Sequence, residues 1–289
     1  AGPSGVDLVQ LCRTIVELRK ELAKSRVEGK RIGLVATMGA LHPGHLSLVE
    51  QCMLESDVAV VSIFVNPAQF SPDSDLGRYP RNLEGDCEKL KELGVHYVFH
   101  PEPNEIYPSN YCTWVDVEQL TTLLDGASRP GYFRGVATVV LQLLNITQPS
   151  YAYFGQKDAQ QAAVIQRLCS DLHLEVDIRI LPIVREPDGL AMSSRNTYLS
   201  HEERRIAPEL FKALESSQQL FRAGQREAAA LIEVVQRHLI SFPILRKDYV
   251  EVVDTEQFQR LKIVDRPALL AIAFDLNGTR LIDNIYLEP

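Results

Sequence analysis

The sequence predicts an α/β fold: a doubly wound parallel sheet followed by a smaller C-terminal α+β domain. Three observations carry that prediction. Apolar runs at 32–36, 58–65, 95–99 and 151–154 alternate with stretches of helical spacing, which is the order of βαβ units. The 58–65 run is almost wholly apolar, as a strand buried on both faces is. Polar motifs at 37–45, 66–70 and 155–158 each follow one of these runs. They therefore sit beyond the carboxyl ends of strands, where open α/β sheets bind ligands, and the sheet is read as Rossmann-like.

Taken in order, Asp7 is expected to cap a first helix with the stripe Leu8, Leu11, Cys12, Ile15, Leu18 and Leu22, ended by Gly29. The 32–36 strand turns through Gly39 and Gly44, and Leu46, Val49, Cys52 and Met53 then take helical spacing. Residues 71–81 read as a loop. Leu83, Cys87, Leu90 and Leu93 mark a helix closed by Gly94. A short edge strand is expected at 113–117, helices at 135–146 and 158–170, and a strand at 174–180. The pattern changes after Leu181-Pro182. A mixed loop at 183–196 leads to helices at 201–221 and 226–240. Strands follow at 249–253, 269–274 and 281–287, with Asn277-Gly278 as a hairpin turn. The expected domains are 1–181 and 182–289.

Composition bounds the function. The 289 residues carry 45% hydrophobic and 24% charged side chains and a net charge of −8, so a basic surface for nucleic acid or anionic membrane is not expected. No apolar run approaches the roughly 18–20 residues that span a bilayer, and the first residues lack a signal pattern. Five cysteines without CxxC spacing read as reduced core thiols of a reducing, cytoplasmic compartment. There is no GxGxxG fingerprint and no GxxxxGK[ST] loop, which excludes a dehydrogenase and a Walker ATPase.

Four constellations carry chemistry. Met38-Gly39-Ala40-Leu41-His42-Pro43-Gly44-His45 joins a strand to a helix start, where unpaired amides and partial positive charge receive anions. Its histidines are either turn residues without a role or donors to an anion; a metal site would need a third ligand that nothing nearby supplies. Gly155-Gln156-Lys157-Asp158 is either a solvated loop with a capping aspartate or a cation placed against phosphate charge. Gln160 and Gln161 follow it as hydrogen-bonding candidates. Met192-Ser193-Ser194-Arg195-Asn196 is either an interdomain loop or a phosphate clamp. Asn66-Pro67-Ala68-Gln69-Phe70 is either a strand stop or a holder of a carboxylate or hydroxyl neighbour through Gln69. Arg129 and Arg134 are anion candidates or surface ion-pair partners.

The first motif resembles the HxGH stretch of the nucleotidylyltransferase superfamily. With FVNPAQF (64–70), YPR (79–81), FRGVATVV (133–140), FGQKDAQQ (154–161) and MSSRN (192–196), the chain resembles the pantoate–β-alanine ligases. The resemblance implies ATP as co-substrate with Mg²⁺ carried on it and no dedicated protein metal site, Asp86 being the one candidate protein contact to that ion, together with a pantoyl-adenylate intermediate, pyrophosphate and AMP as products, and a homodimer. It implies a role in pantothenate biosynthesis, with residues 1–181 binding ATP and pantoate and 182–289 acting as a lid. Met38 to His45, including Gly39, Ala40, Leu41, His42, Pro43 and Gly44, correspond to ATP-lining positions. So do Gly155, Gln156, Lys157, Asp158, Val184, Met192, Ser193, Ser194 and Arg195. His45 corresponds to a proton donor, but pyrophosphate leaving as a Mg²⁺-bound anion needs no proton from it, so His42, His45, Lys157, Ser193, Ser194 and Arg195 are read as stabilisers of the charge that spreads to the leaving group. Gln69 corresponds to a residue shared by pantoate and β-alanine, Gln161 to a pantoate ligand, and Asn66, Tyr79 and Arg129 to further substrate positions. The chain departs from the family pattern at Ala36, Pro43 and Gln156. Pro43 suits a first helical position. Two other readings are a transferase moving AMP to a phosphate-bearing acceptor and a non-enzymatic nucleotide-binding module.

Overall fold

The computed structural model describes residues 9–71 and 75–289. In chain order the elements are β1 (Gln10–Cys12), α1 (Ile15–Val27), β2 (Ile32–Thr37), α2 (Pro43–Glu55), β3 (Val58–Ile63), α3 (Leu83–Glu92), β4 (Tyr97–Phe99) and α4 (Pro103–Ile106). There follow α5 (Leu124–Ser128), α6 (Tyr132–Thr147), β5 (Tyr151–Gly155), α7 (Ala159–Asp171) and β6 (Asp177–Leu181). The last are α8 (His201–Ile206), α9 (Glu209–Arg222), α10 (Ala228–Leu239), β7 (Leu245–Asp254), β8 (Ala268–Leu276) and β9 (Thr279–Leu287). Two compact units result. One comprises Ala1–Val117, Gly131–Gly155 and Val164–Leu181; the other comprises Glu118–Pro130, Gln156–Ala163 and Pro182–Pro289.

In the first unit six strands form one sheet, in the order β1-β4-β3-β2-β5-β6, and every pairing is parallel. From β2 the chain winds outward through β3 and β4, then returns to β2's other side with β5 and β6. The β2/β5 pair, with Val35 opposite Tyr153, is thus the switch point where such sheets open a crevice. The core below it joins Val35, Val61, Val98 and Tyr153 to Leu48, Val49 and Cys52 of α2 and Leu90 of α3.

The expected first helix is corrected. Asp7 and Leu8 lie outside the described residues, and Leu11 and Cys12 belong to β1, paired with Val98 and Phe99. Helix α1 starts after Thr14, which makes a capping box with Glu17: Thr14 Oγ1 accepts from Glu17 N at 3.2 Å and Glu17 Oε2 accepts from Thr14 N at 3.0 Å. No strand forms at 113–117; Val115 N instead donates to Thr138 Oγ1 at 3.0 Å.

The second unit holds an antiparallel sheet in the order β7-β8-β9, closed by Asn277 (φ 51°) and Gly278 (φ 88°), the left-handed pair a two-residue hairpin needs. Leu210 and Leu214 of α9 and Leu231 and Val235 of α10 pack with Val250, Val252, Leu270 and Ile272 of the sheet. The expected 201–221 helix is two, because Pro208 interrupts the helical ladder between α8 and α9. The 118–130 segment is held within this unit by buried polar contacts. Gln160 Nε2 donates to Leu120 O at 2.8 Å and Leu123 O at 2.9 Å, and its Oε1 accepts from Asp125 N at 3.0 Å. Asp125 Oδ1 accepts from Tyr249 Oη at 2.9 Å and from an Arg280 amino group at 2.6 Å. Gln160 is therefore a structural clamp, not a substrate group.

Candidate active site

The turn after β2 is ordered from beneath by a side chain the motifs did not single out. Asp86, 1% exposed, accepts from Ala40 N through Oδ2 and from Leu41 N through Oδ1, both at 2.8 Å. Lys89, one turn further along α3, donates to Leu41 O at 2.7 Å. Gly39 (φ 81°) and Ala40 (φ 51°) are both left-handed, so the turn needs such support. A trace of Asp86's role was in the sequence: it lies between Leu83 and Leu90 on the apolar side of α3.

Both histidines act as caps. His42 is the N-cap of α2 and Pro43 its first helical residue. His42 Nδ1 accepts from Gly44 N at 3.1 Å, and His45 Nδ1 accepts from His42 N at 3.4 Å. The ring centroids are 3.9 Å apart, tilted by 34°. The helix-start amides expected to receive an anion are thus largely engaged: Pro43 has none, Gly44 is capped, and His45 N donates to His42 O at 2.8 Å. An Nδ1 that accepts a hydrogen bond carries no proton, so each neutral ring has its proton on Nε2. The donor of each ring is thus its Nε2–H, on the side away from the capping nitrogen.

After β3, Asn66 is 1% exposed. Its amide donates to Gln69 Oε1 at 2.9 Å and Gly135 O at 3.1 Å, and its Oδ1 accepts from Ala68 N at 3.2 Å and Tyr107 Oη at 2.9 Å. All four of its positions are engaged inside the unit, and through the first of them Asn66 orients Gln69. Gln69, with its carbonyl taken, has its NH₂ as the donor side. Gly135 explains the FRG motif: a Cβ there would lie 2.3 Å from Ala68 O, so glycine lets α6 approach the 66–69 turn. Tyr79 is buried with its ring edge-on to Phe70 at 5.9 Å. Gly155 ends β5, next to β2 in the sheet.

In the second unit, Lys157 Nζ lies 3.7 Å from Asp158 Oδ2. Asn284 Nδ2 donates to Gln156 O at 3.0 Å and Lys157 O at 3.1 Å. The expected 183–196 loop is partly ordered: Met192 N donates to Val184 O at 3.0 Å and Arg185 bridges Ala191, so Val184 and Met192 are neighbours. Ser193 caps the next turn by accepting from Arg195 N at 3.2 Å, and Ser194 is buried. Arg185 makes a two-pronged pair with Asp283 at 2.6 and 2.8 Å. Burial raises the Asp283 carboxyl above its ordinary value, and the Arg185 guanidinium opposes that rise. Gln161 stands half-buried in the first turn of α7, and Arg129 caps the end of α5. Arg134 pairs with Asp116 at 3.5 Å, the blander of its two readings. Among the described residues no three His, Cys, Asp or Glu side chains form a metal cluster, and no helix is long and apolar enough to cross a membrane.

A parallel α/β sheet with a histidine-capped helix at its switch point defines a doubly wound α/β protein, a class that binds its ligands in the crevice at that point. Comparison with known proteins narrows that class. The pantoate–beta-alanine ligase family model matches residues 10–286. The pantothenate synthetase of Pelotomaculum thermopropionicum is 49% identical over 277 residues, 96% of this chain and 98% of that protein. The crystal structure of pantothenate synthetase from Thermus thermophilus superposes with a TM-score of 0.93 at 43% identity, covering 97% of this chain and 100% of that one. The pantoate–beta-alanine ligase of Francisella tularensis, solved with beta-gamma ATP and beta-alanine, has a TM-score of 0.80 at 33% identity over 96% of this chain and 97% of that one. The chain belongs to the pantoate–β-alanine ligase family. It is an enzyme, a ligase of pantothenate biosynthesis.

Proposed function

We propose that this chain joins pantoate to β-alanine with ATP in two steps through a pantoyl adenylate. In the first, a pantoate carboxylate oxygen bonds to the α-phosphorus of ATP and the bond to the β-phosphate oxygen breaks, releasing pyrophosphate. In the second, the β-alanine ammonium gives a proton to solvent and the free amine bonds to the acyl carbon. The bond from that carbon to the phosphate oxygen breaks to release AMP, and the nitrogen loses its second proton to solvent as the amide forms. Both steps need positioning and charge stabilisation more than covalent help from the protein.

The observation that carries the reading is the pair of capped histidines. Acting as a general acid would require His45 as an imidazolium with a proton on Nδ1, and that nitrogen accepts a backbone amide instead. Losing the Nε2 proton from the neutral ring would leave an imidazolate. His42 and His45 are therefore assigned as hydrogen-bond donors to the developing phosphate charge, with Lys157, Ser193, Ser194 and Arg195 in the same role. Met38 to Gly44, Gly155, Gln156, Asp158, Val184 and Met192 are assigned to ATP. Gln69 is assigned to pantoate and β-alanine, and Gln161, Tyr79 and Arg129 to substrate. Mg²⁺ is assigned to the ATP phosphates, because both oxygens of Asp86 accept turn amides. We assign to residues 182–289 the exclusion of water from the mixed anhydride. A cytoplasmic homodimer completes the proposal, on the strength of the family resemblance.

Product identity tests it. Incubation with ATP, pantoate and β-alanine should yield one AMP and one pyrophosphate per pantothenate. A dinucleotide formed with a phosphate-bearing acceptor would support AMP transfer instead. Gln69 and Gln161 speak against that, since a phosphate acceptor calls for added Arg or Lys.

A further inference from the structure

Asn284 stands in the middle of β9, 3% exposed, among Leu281, Ile285 and Leu287. A buried amide in an apolar strand has its donors and acceptor engaged, and here one short segment engages all three. Its NH₂ donates to the carbonyls of Gln156 at 3.0 Å and Lys157 at 3.1 Å, and its Oδ1 accepts from Gln156 Nε2 at 3.2 Å. The neighbouring Asp283, 4% exposed, holds the strand at this point. Its Oδ1 accepts from Asn284 N at 2.7 Å while Arg185 grips both its oxygens. The polar pair interrupting the apolar run Leu281-Ile282-…-Ile285 is the sequence signal for it.

We propose that Asn284 is a positioning residue for Lys157. It fixes the backbone at 156–157, so the ammonium is presented from one place to phosphate charge. The inference rests on the assignment of Lys157 to ATP. A charge-stabilising group displaced by about 1 Å loses on the order of a hundredfold in rate.

The test is pantoate-dependent exchange of label between pyrophosphate and ATP in Asn284→Ala, Asn284→Asp, Lys157→Ala and the Asn284→Ala/Lys157→Ala pair. Asn284→Ala should lower the exchange kcat about 10- to 100-fold. Asn284→Asp keeps the size and the acceptor for Gln156 but sets an oxygen against two carbonyls. It should also be slow, and it covers the case in which the alanine variant does not fold. Because Asn284 acts through Lys157, the double variant should fall within about twofold of Lys157→Ala alone. Ser217→Ala, which removes a buried bond to Leu231 O in the same unit, should lower the urea midpoint and leave exchange unchanged. Full additivity in the double variant, a normal Asn284→Asp rate, or slow exchange in Ser217→Ala would overturn the proposal. A near-normal Lys157→Ala rate would overturn the assignment of Lys157 itself, and this inference with it. A slow Lys157→Ala beside normal Asn284 variants would overturn this inference alone.

Discussion

Asp86→Asn has an effect whose size follows from the geometry of the β2–α2 turn. Each oxygen of the buried Asp86 carboxylate accepts one turn amide at 2.8 Å. A hydrogen bond to a charged group contributes about 1.5–3 kcal/mol. Asparagine keeps one acceptor and turns an NH₂ toward the other amide, so one such bond is lost and a donor faces a donor. Ala40, at φ 51°, then relaxes readily, because the left-handed conformation costs a residue with a Cβ about 1–2 kcal/mol. A loss of about 2 kcal/mol in turn order corresponds to roughly thirtyfold in the competent population. The assay is kcat/KM for ATP in pantoate-dependent pyrophosphate exchange, with urea unfolding of the same samples. If Asp86→Asn exchanges within twofold of the parent protein, the turn does not depend on Asp86 and the reasoning fails.

Other predictions rest on separate contacts. Gly135→Ala places a Cβ 2.3 Å from Ala68 O and 3.0 Å from Gln69 N. It should destabilise the protein by about 1–3 kcal/mol and raise KM for pantoate more than KM for ATP; equal KM values with unchanged stability would contradict the packing argument. His45→Gln, whose NH₂ can stand in for Nε2–H, should exchange faster than His45→Ala. Equal rates would favour proton transfer over hydrogen-bond donation. Glu203 is held below the usual carboxylate range, first by the Ser200 backbone N–H and then by the Asn277 amide. A depressed carboxyl contributes stability above its unfolded value, about 4.3, and loses it as pH falls through the folded one. Glu203→Gln should therefore unfold at lower urea than the parent at pH 7, and the gap should close as pH falls below the folded value. A gap of constant size would refute the linkage.

Much of the architecture was legible because buried parallel strands announce themselves. The almost wholly apolar 58–65 run became β3, and the motifs beyond 36, 65 and 154 fell at the ends of β2, β3 and β5. Short elements were not legible. Three-residue β1 runs into α1 with apolar residues at positions that also fit a helix, and only the Thr14–Glu17 box separates them. At 113–117 the β-branched composition was right for a strand, but the amide of Val115 finds the Thr138 hydroxyl instead of a sheet partner. The side chains that order the candidate site were the hardest to see. Asp86, Asn66 and Asn284 reach their partners across 45, 69 and 127 residues; a polar residue in an apolar stretch marks Asp86 and Asn284 as buried, but nothing local names the partner. Gln160 shows the converse. Its place on the first turn of α7 suggested a substrate group, and the 118–130 segment takes its whole amide.

The central claim is that pantoate is activated by adenylation before β-alanine takes part. Labelled pyrophosphate supplied with ATP and pantoate, and with β-alanine left out, should enter ATP. The exchange should vanish when pantoate is omitted. Exchange that requires β-alanine, or that proceeds without pantoate, would contradict the account.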